Sequence, residues 1–452
     1  MGQQNQRAKA KLHSINAALE TGGLQQVKRT LNSGLAPVEV AHLIESSPPK
    51  VRKMLWELID TENEGEVLQH LNDEVSGLFL SEMSAEELVN LTSELDTDDV
   101  ADILQQIPNH VSEAVLRGMD SEDRDRLEAV LAYPEDTAGG LMNTDTVTVR
   151  PDITLDVVLR YLRRHRSLPD MTDNLLVINR SNEFIGVLPI NKLLVSDLNQ
   201  TVREVMSTDA QTIHAAMDEE DVAKIFERHD LVSAPVVDNQ GKLLGRITID
   251  DVVDVIRDTA DHSLMSMAGL DEEEDTFAPA FKTGRRRALW LGINLLTAFI
   301  ASAVIGLFDQ TIERLVALAI LMPIVASMGG IAGSQVLTLV IRGQALGHIN
   351  SISNVRWLMN RELAVGFFNG LLWAAVIGLA TLIWFNDWQL AWIIAAAIII
   401  NLVVAALSGA AVPLILKRQR IDPALAGGVI LTTITDVVGF FSFLGLASIF
   451  YL

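Results

Sequence analysis

The chain has 452 residues, 35 basic and 58 acidic, with nine histidines and no cysteine. Without cysteine it forms neither a disulfide nor a thiolate-held metal site. It also lacks a Gly-x-x-x-x-Gly-Lys-Ser/Thr loop and a His-Glu-x-x-His pair, so neither a phosphate-driven motor nor a zinc hydrolase is visible, and no enzyme is expected. Residues 283–452 carry 10 basic and 6 acidic side chains, which leaves 25 and 52, a net −27, for residues 1–282. So acidic a part repels nucleic-acid phosphates and attracts cations, and no nucleic acid is expected among its partners.

Residues 1–24 form a polar tail without the apolar core of a secretory signal. Residues 25–137 read as an acidic domain of short helices, with Leu24, Val27, Leu31 and Leu35, then Leu88, Leu91 and Leu95, then Val100, Ile103, Leu104 and Ile107 at helical spacing. Pro48-Pro49, Pro108 and the Ser84-Ala85-Glu86-Glu87 start punctuate them, as in a superhelical stack of helical hairpins. Leu95-Asp96-Thr97-Asp98-Asp99-Val100-Ala101-Asp102 opens one helix with four acids, more than capping requires, and Asp98 and Asp102 share a face.

Residues 138–257 contain an internal repeat. Leu141-Met142-Asn143-Thr144-Asp145 returns as Val205-Met206-Ser207-Thr208-Asp209, and Phe184-Ile185-Gly186-Val187-Leu188 parallels Leu243-Leu244-Gly245-Arg246-Ile247. Each copy reads strand, helix, strand, turn, strand, helix. This resembles the paired cystathionine-β-synthase (CBS) regulatory domain, an α+β module whose members sense adenosine nucleotides or ions. In the second copy Asp251 and Asp254 lie one turn apart on a helix, which reads either as a half-site for a hard divalent cation or as a solvated face. Residues 258–284 form a connecting helix or plug, with Asp271-Glu272-Glu273-Glu274-Asp275 as a solvated acidic run.

Residues 285–452 read as five membrane spans, since charge-free runs extend over 288–308, 315–341, 363–386 and 388–416, and a fifth over 424–452 is interrupted by one charge. Lys282, Arg285, Arg286, Arg287, Arg342, Arg356, Arg361, Lys417, Arg418 and Arg420 flank ends on one side and Arg314 the other, which places the N-terminus in the cytoplasm and the C-terminus outside. The second span carries Pro323 with Gly329, Gly330 and Gly333, which either unwind the helix into a carbonyl-lined cavity or pack it tightly. Asn294, Asn369 and Asn401 are available to bond between helices. The one charge in the fifth span is Asp436, flanked by Thr432, Thr433 and Thr435. A carboxylate at that depth costs about 2.5–3.5 kcal/mol on insertion scales and marks an ion or proton path.

The acidic helical domain, the paired repeat, the five spans, Gly329-Gly330 with Gly333-Ser334-Gln335, Asp422-Pro423-Ala424 and Thr432-Thr433-Ile434-Thr435-Asp436-Val437-Val438-Gly439-Phe440 together resemble the MgtE family of bacterial magnesium channels. The resemblance implies a homodimer in the plasma membrane, in contact with lipid, with Asp436 of both subunits binding a hydrated Mg²⁺. It implies regulatory ligands at Asp98 and Asp102, the Gly140 carbonyl, Asp218, Asp230, Asp251 and Asp254, and Asp422 at the inner mouth. Gly329, Gly330, Ile331, Thr432 and Thr435 would line the pore, and the CBS domain would take ATP. Ile331 departs from the family's Gly-Gly-Asn-Ala-Gly pattern, which bears on ion ranking. The function expected is Mg²⁺ uptake, closed by cytosolic Mg²⁺; the alternative is a coupled transporter or exporter of another divalent metal such as Co²⁺.

Overall fold

The structure, a computed structural model, describes residues 23–92, 95–164, 168–169, 171–270, 274–349 and 352–451. Nearly all of the expected polar tail and part of the acidic run, Asp271-Glu272-Glu273, lie outside the described residues. Two compact units emerge: one reaches Ala260 and takes back a segment ending at Ala278, the other begins at Asp261 and resumes at Pro279.

In the first unit, helices α1 (Leu24–Gly34), α2 (Pro37–Glu45), α3 (Pro49–Trp56), α4 (Thr61–Leu68), α5 (Asp73–Leu80), α6 (Ala85–Thr92), α7 (Thr97–Gln106), α8 (Asn109–Gly118) and α9 (Ser121–Leu131) follow one another through tight turns. Their starts are written locally. Pro37 and Pro49 occupy first helical positions, where the missing N–H costs nothing. Asn72 accepts from Val75 N at 3.0 Å, and Ser84 and Glu87 cap reciprocally. Alternate helices pack together, α2 on α4, α4 on α6, α6 on α8, α5 on α7 and α7 on α9, which gives the superhelical stack.

The repeat forms two three-stranded sheets of the same order. In the first, β1 (Thr148–Val149) runs parallel to β2 (Asn174–Ile178), which is antiparallel to β3 (Phe184–Pro189). In the second, β4 (Ile213–His214), β5 (Ser233–Val237) and β6 (Leu243–Thr248) repeat this, with the register shift at Val236/Val237 matching that at Val177/Ile178. Helices α10 (Leu155–Leu162) and α11 (Ile190–Val195) belong to the first copy and α13 (Glu219–His229) and α14 (Ile249–Met267) to the second, while α12 (Val202–Val205), at the start of the second, packs into the first copy's core. One hydrophobic core runs from Val27 of α1 to Val255 of α14, so the helical stack and the second copy share an interior, whereas the first copy has its own around Leu155, Leu175 and Leu188. The helix that closes the repeat runs on to Met267, since nothing between Asp250 and Met267 breaks a helix.

A buried ion pair ties down the segment ahead of the membrane helices. Arg52 of α3, 1% exposed, donates from both terminal nitrogens to the Asp275 carboxylate at 2.6 and 2.7 Å, and to the Ile44 and Glu45 carbonyls at 3.0 and 2.7 Å. The Phe277 ring lies 5.7 Å from its guanidinium carbon. Every donor side of the fork is occupied, the condition under which a buried pair holds.

In the second unit five helices are long and apolar enough to cross a membrane: α15 (Ala280–Gly306), α17 (Ala317–Ala345), α18 (Ile352–Phe385), α19 (Trp388–Arg418) and α20 (Pro423–Tyr451), with a short α16 (Asp309–Arg314) after the first. Helix α19 is central and packs on α17, α18 and α20; α15 packs mainly on α20. The second span is not unwound. Helix α17 continues through Pro323 and all three glycines, because the proline sits near its start and two glycines serve close approach: a Cβ at Gly329 would lie 2.3 Å from Asn401 Nδ2, and one at Gly333 2.8 Å from Leu431. Asn401 bonds between helices, donating to Val325 O at 2.8 Å, whereas Asn294 bonds within its own, to Trp290 O at 3.0 Å.

Candidate functional site

The first constellation lies where α7 of the helical stack faces the start of α14. Asp96 holds the N-cap position, Asp98 and Asp99 fill the first turn, and one carboxylate oxygen of each lies within 4.8 Å of the others. Opposite, Asp250 and Asp251 open α14, with Asp254 a turn later. Thr248 orients this end: its N–H and hydroxyl donate to Asp251 Oδ2 at 3.4 and 3.0 Å, and the hydroxyl also reaches Asp250.

Like charges and loss of water act in the same direction here. Burial, then Asp251, Asp99 and Asp96, hold the Asp98 carboxyl well above the usual range, and its buried Oδ1 accepts no hydrogen bond. Burial, then Asp96, Asp250 and Asp254, raise Asp99 to about 6; burial and Asp250 raise Asp251 to about 7. Asp102 is exposed to solvent, yet desolvation by the protein around it, then Glu135, Asp99, Asp73 and Asp251, push it to about 8. At Asp254 desolvation raises the carboxyl and Arg257, 3.1 Å away, opposes it. Such carboxylates bind either protons or a hard cation.

A second acidic patch adjoins the turn before the repeat. Gly140 fits where no side chain would, since a Cβ there would lie 2.5 Å from Glu135 O and 2.7 Å from Pro134 O. The neighbouring amides of Ala138 and Gly139 donate to Met217 and Ala215, and Thr137 of the same turn pairs with Asp218, the N-cap of α13. Burial, then Asp136 and Asp218, lift Glu219 to about 7. Asp230 ends the same helix in a left-handed conformation, φ 50°. Eleven residues lie between Asp218 and Asp230, which sets them about 18 Å apart along the helix, too far to meet in one site of a single chain.

In the membrane unit, Gly330, Ile331, Ser334, Gln335 and Thr338 of α17 and Thr432 of α20 line an open groove of about 530 Å³. Asp436 lies one turn beyond Thr432 on the same face, half-exposed, and among the described residues its carboxylate has no hydrogen-bond or ion-pair partner. A Cβ at Gly330 or Gly428 would meet nothing within 4 Å, so among the described residues nothing covers these faces of α17 and α20. Ile331 is 58% exposed. Gly329 and Thr435 are not on this surface: Gly329 abuts Asn401, and Thr435, 0% exposed, donates to Thr432 O at 3.0 Å. The Thr432 and Thr433 hydroxyls donate to carbonyls of their own helix, which leaves their lone pairs outward. Asp422 caps α20 through Ala424 N and Leu425 N at 2.8 and 3.1 Å, and His262 of α14 lies 3.3 Å from it.

Sequence reasoning did not single out Asp99, Asp73, Glu135, Glu219 or His262, nor Ser334, Gln335 and Thr338. For Asp99 a signal existed, because 99 and 102 share a face as 98 and 102 do; the others converge only through tertiary packing.

Residues 322–446 match the family model of the MgtE divalent cation transporter, residues 35–136 that of the MgtE intracellular N domain, and residues 138–197 and 202–258 that of the CBS domain. The chain is 28% identical over 422 residues to the magnesium transporter MgtE of Bacillus subtilis, covering 93% of each, and 30% identical over 331 residues to that of Thermus thermophilus, covering 73% of each. A crystal structure of the cytosolic domain of the Mg²⁺ channel MgtE in complex with ATP superposes with a TM-score of 0.50 at 30% identity, over 54% of this chain and 99% of that one.

Proposed function

Because the chain belongs to the MgtE family of magnesium transporters, we propose that it is a passive, gated channel that carries Mg²⁺ into the cell. The observation that carries this reading is Asp436: a carboxylate within a span, without a partner among the described residues, on an open face with Thr432 and Gly428. Mg²⁺ sheds water reluctantly and is held through its waters by one or two carboxylates. A second copy of the chain, placing its own Asp436 across the uncovered faces of α17 and α20, completes such a site, so the working form is a homodimer. Inward movement of a divalent cation gains about 4.6 kcal/mol per 100 mV, and no other energy source is required. The basic residues around Arg285, Arg342, Arg356 and Lys417 face the cytoplasm, and the exposed Trp384, Trp388 and Trp392 mark the outer interface.

Gating follows from the crowded carboxylates. Mg²⁺ bound at Asp98, Asp99, Asp102, Asp251 and Asp254 cancels their repulsion, favours the compact cytosolic arrangement and closes the pore; its loss releases it. The ion therefore binds the closed state more tightly. ATP, the ligand of the related cytosolic domain, would be held where β6 meets α14: the carboxylates of Asp250 and Asp251 and the Thr248 hydroxyl supply acceptors and a donor of the kind a ribose engages.

The test is Mg²⁺ uptake into vesicles by wild type and Asp436→Ala. We expect the variant to insert and dimerise but to lose flux about 100-fold or more, commensurate with the cost of the buried charge it removes. Wild-type flux from an assembled variant would exclude Asp436 from the path. Uptake that saturates and depends on a proton or sodium gradient would replace the channel with a coupled transporter.

A further inference from the structure

Asn401 sits midway along α19 with none of its surface exposed. Its Nδ2 donates to Val325 O of α17 at 2.8 Å, while its Oδ1, equally buried, accepts no hydrogen bond. A polar amide in an apolar layer costs free energy unless it is used. What converges on it is specific: a Cβ at Gly329 would lie 2.3 Å from Nδ2, and one at Gly439 2.8 Å from the same atom. Helices α17, α19 and α20 therefore meet at one side-chain amide, and only glycine on both flanks allows it.

The two glycines place this amide behind the ion-facing surface. Gly329 directly precedes Gly330 and Ile331, which line the groove; Gly439 lies one helical turn after Asp436. A small shift at Asn401 moves both walls together, because α17 and α20 are referenced to the same nitrogen. We propose that Asn401 is a positioning residue for the ion path. It fixes the spacing and rotation of α17 against α20, and hence where Asp436 stands relative to the groove, without touching the ion. The orphan Oδ1 fits this assignment: the amide is kept for what its NH₂ group holds, although its oxygen goes unsatisfied.

This inference rests on the reading of Asp436 as part of the path, so both are tested in one series of full-length proteins in vesicles. Asn401→Ala, assembled as wild type by gel filtration, should lose discrimination of Mg²⁺ over Ca²⁺ in competition uptake by about tenfold, the change one net buried hydrogen bond supports. Asn401→Asp keeps the shape and regains a donor when its carboxyl is protonated. Its discrimination, normalised to wild type at each pH, should recover as pH is lowered from 8 to 6, a readout that general destabilisation would not move. Should Asn401→Ala fail to assemble, Asn401→Asp alone decides. An assembled Asn401→Ala, or an Asn401→Asp at pH 8, that ranks ions as wild type does overturns the assignment, provided Asp436→Ala is inactive. If Asp436→Ala transports normally, it is the path reading that fails.

Discussion

The two units of this molecule treat carboxylates in opposite ways. In the first, Asp98, Asp99, Asp102 and Asp251 are packed into mutual repulsion, each raised above its ordinary pKa by burial and then by its neighbours. In the second, Asp436 stands alone on its face. Crowding stores free energy that a cation or a proton releases, which suits a crowded site to sensing. A lone carboxylate stores no repulsion and offers an oxygen in a medium that lacks them, which suits it to selecting and passing an ion. Asp275 supplies the contrast within the first unit: an acid as deeply buried as Asp98, but fully paired with Arg52.

The sharpest way to break the comparison is to unpair Asp275. Arg52→Met leaves a buried carboxylate without its fork and should destabilise the first unit by about 3–5 kcal/mol in thermal or denaturant unfolding; a small change would mean that burial costs these acids little and that the crowded ones store little. The crowded acids should respond with the opposite sign. Their folded pKa values are raised, so the stability they contribute is fully present below the unfolded carboxylate range near pH 4 and is lost as pH rises through about 6 for Asp99 and about 7 for Asp251. In chelator, stability should fall by a few kcal/mol between pH 5 and 8, with Asp102 and Asp254 adding less because they reach solvent. Asp99→Asn should flatten that fall, and millimolar Mg²⁺ should abolish it. A flat profile in chelator would remove the stored repulsion.

A more modest effect is expected of the opposing helix. Mg²⁺ should protect residues 130–140 and 258–280 from protease, and Asp251→Ala with Asp254→Ala should raise the Mg²⁺ needed by about tenfold, a coupling of about 1.4 kcal/mol. Digestion indifferent to Mg²⁺ would leave the first unit without a sensing role. The smallest effect belongs to the groove. Ile331→Asn, at an exposed position lining it, should sharpen Mg²⁺ over Ca²⁺ or Co²⁺ by about 0.5–1.5 kcal/mol. Unchanged ranking with a lower Tm would assign Ile331 to packing instead.

The sequence carries most of the architecture because its signals are local. Proline and capping residues mark helix starts such as Pro37, Pro49 and Ser84; the doubled strand pattern marks the repeat; apolar runs mark the spans. Even at Gly329 and Gly333 the composition left two outcomes, and only the fit to Asn401 and Leu431 decides for packing over unwinding. The site divides likewise. Spacing puts Asp98 with Asp102 and Asp251 with Asp254, but no spacing reveals that α7 faces α14, or that Glu135 and Asp73 crowd Asp102. Nor does it show that Asp218 and Asp230 occupy opposite ends of one helix.

The first span has a further consequence. Only 6% of the apolar window of α15 is buried within the chain, against 56% for that of α19, and at 27 residues α15 is shorter than the other four helices, which have 29 to 34. Its length, about 40 Å, exceeds a hydrocarbon layer of about 30 Å, so it must tilt or project, as the longer helices must. A rod so lightly held takes its inclination from the thickness of the lipid around it. Bilayer thickness is then expected to act on the protein, and flux in vesicles of graded acyl-chain length would measure how strongly.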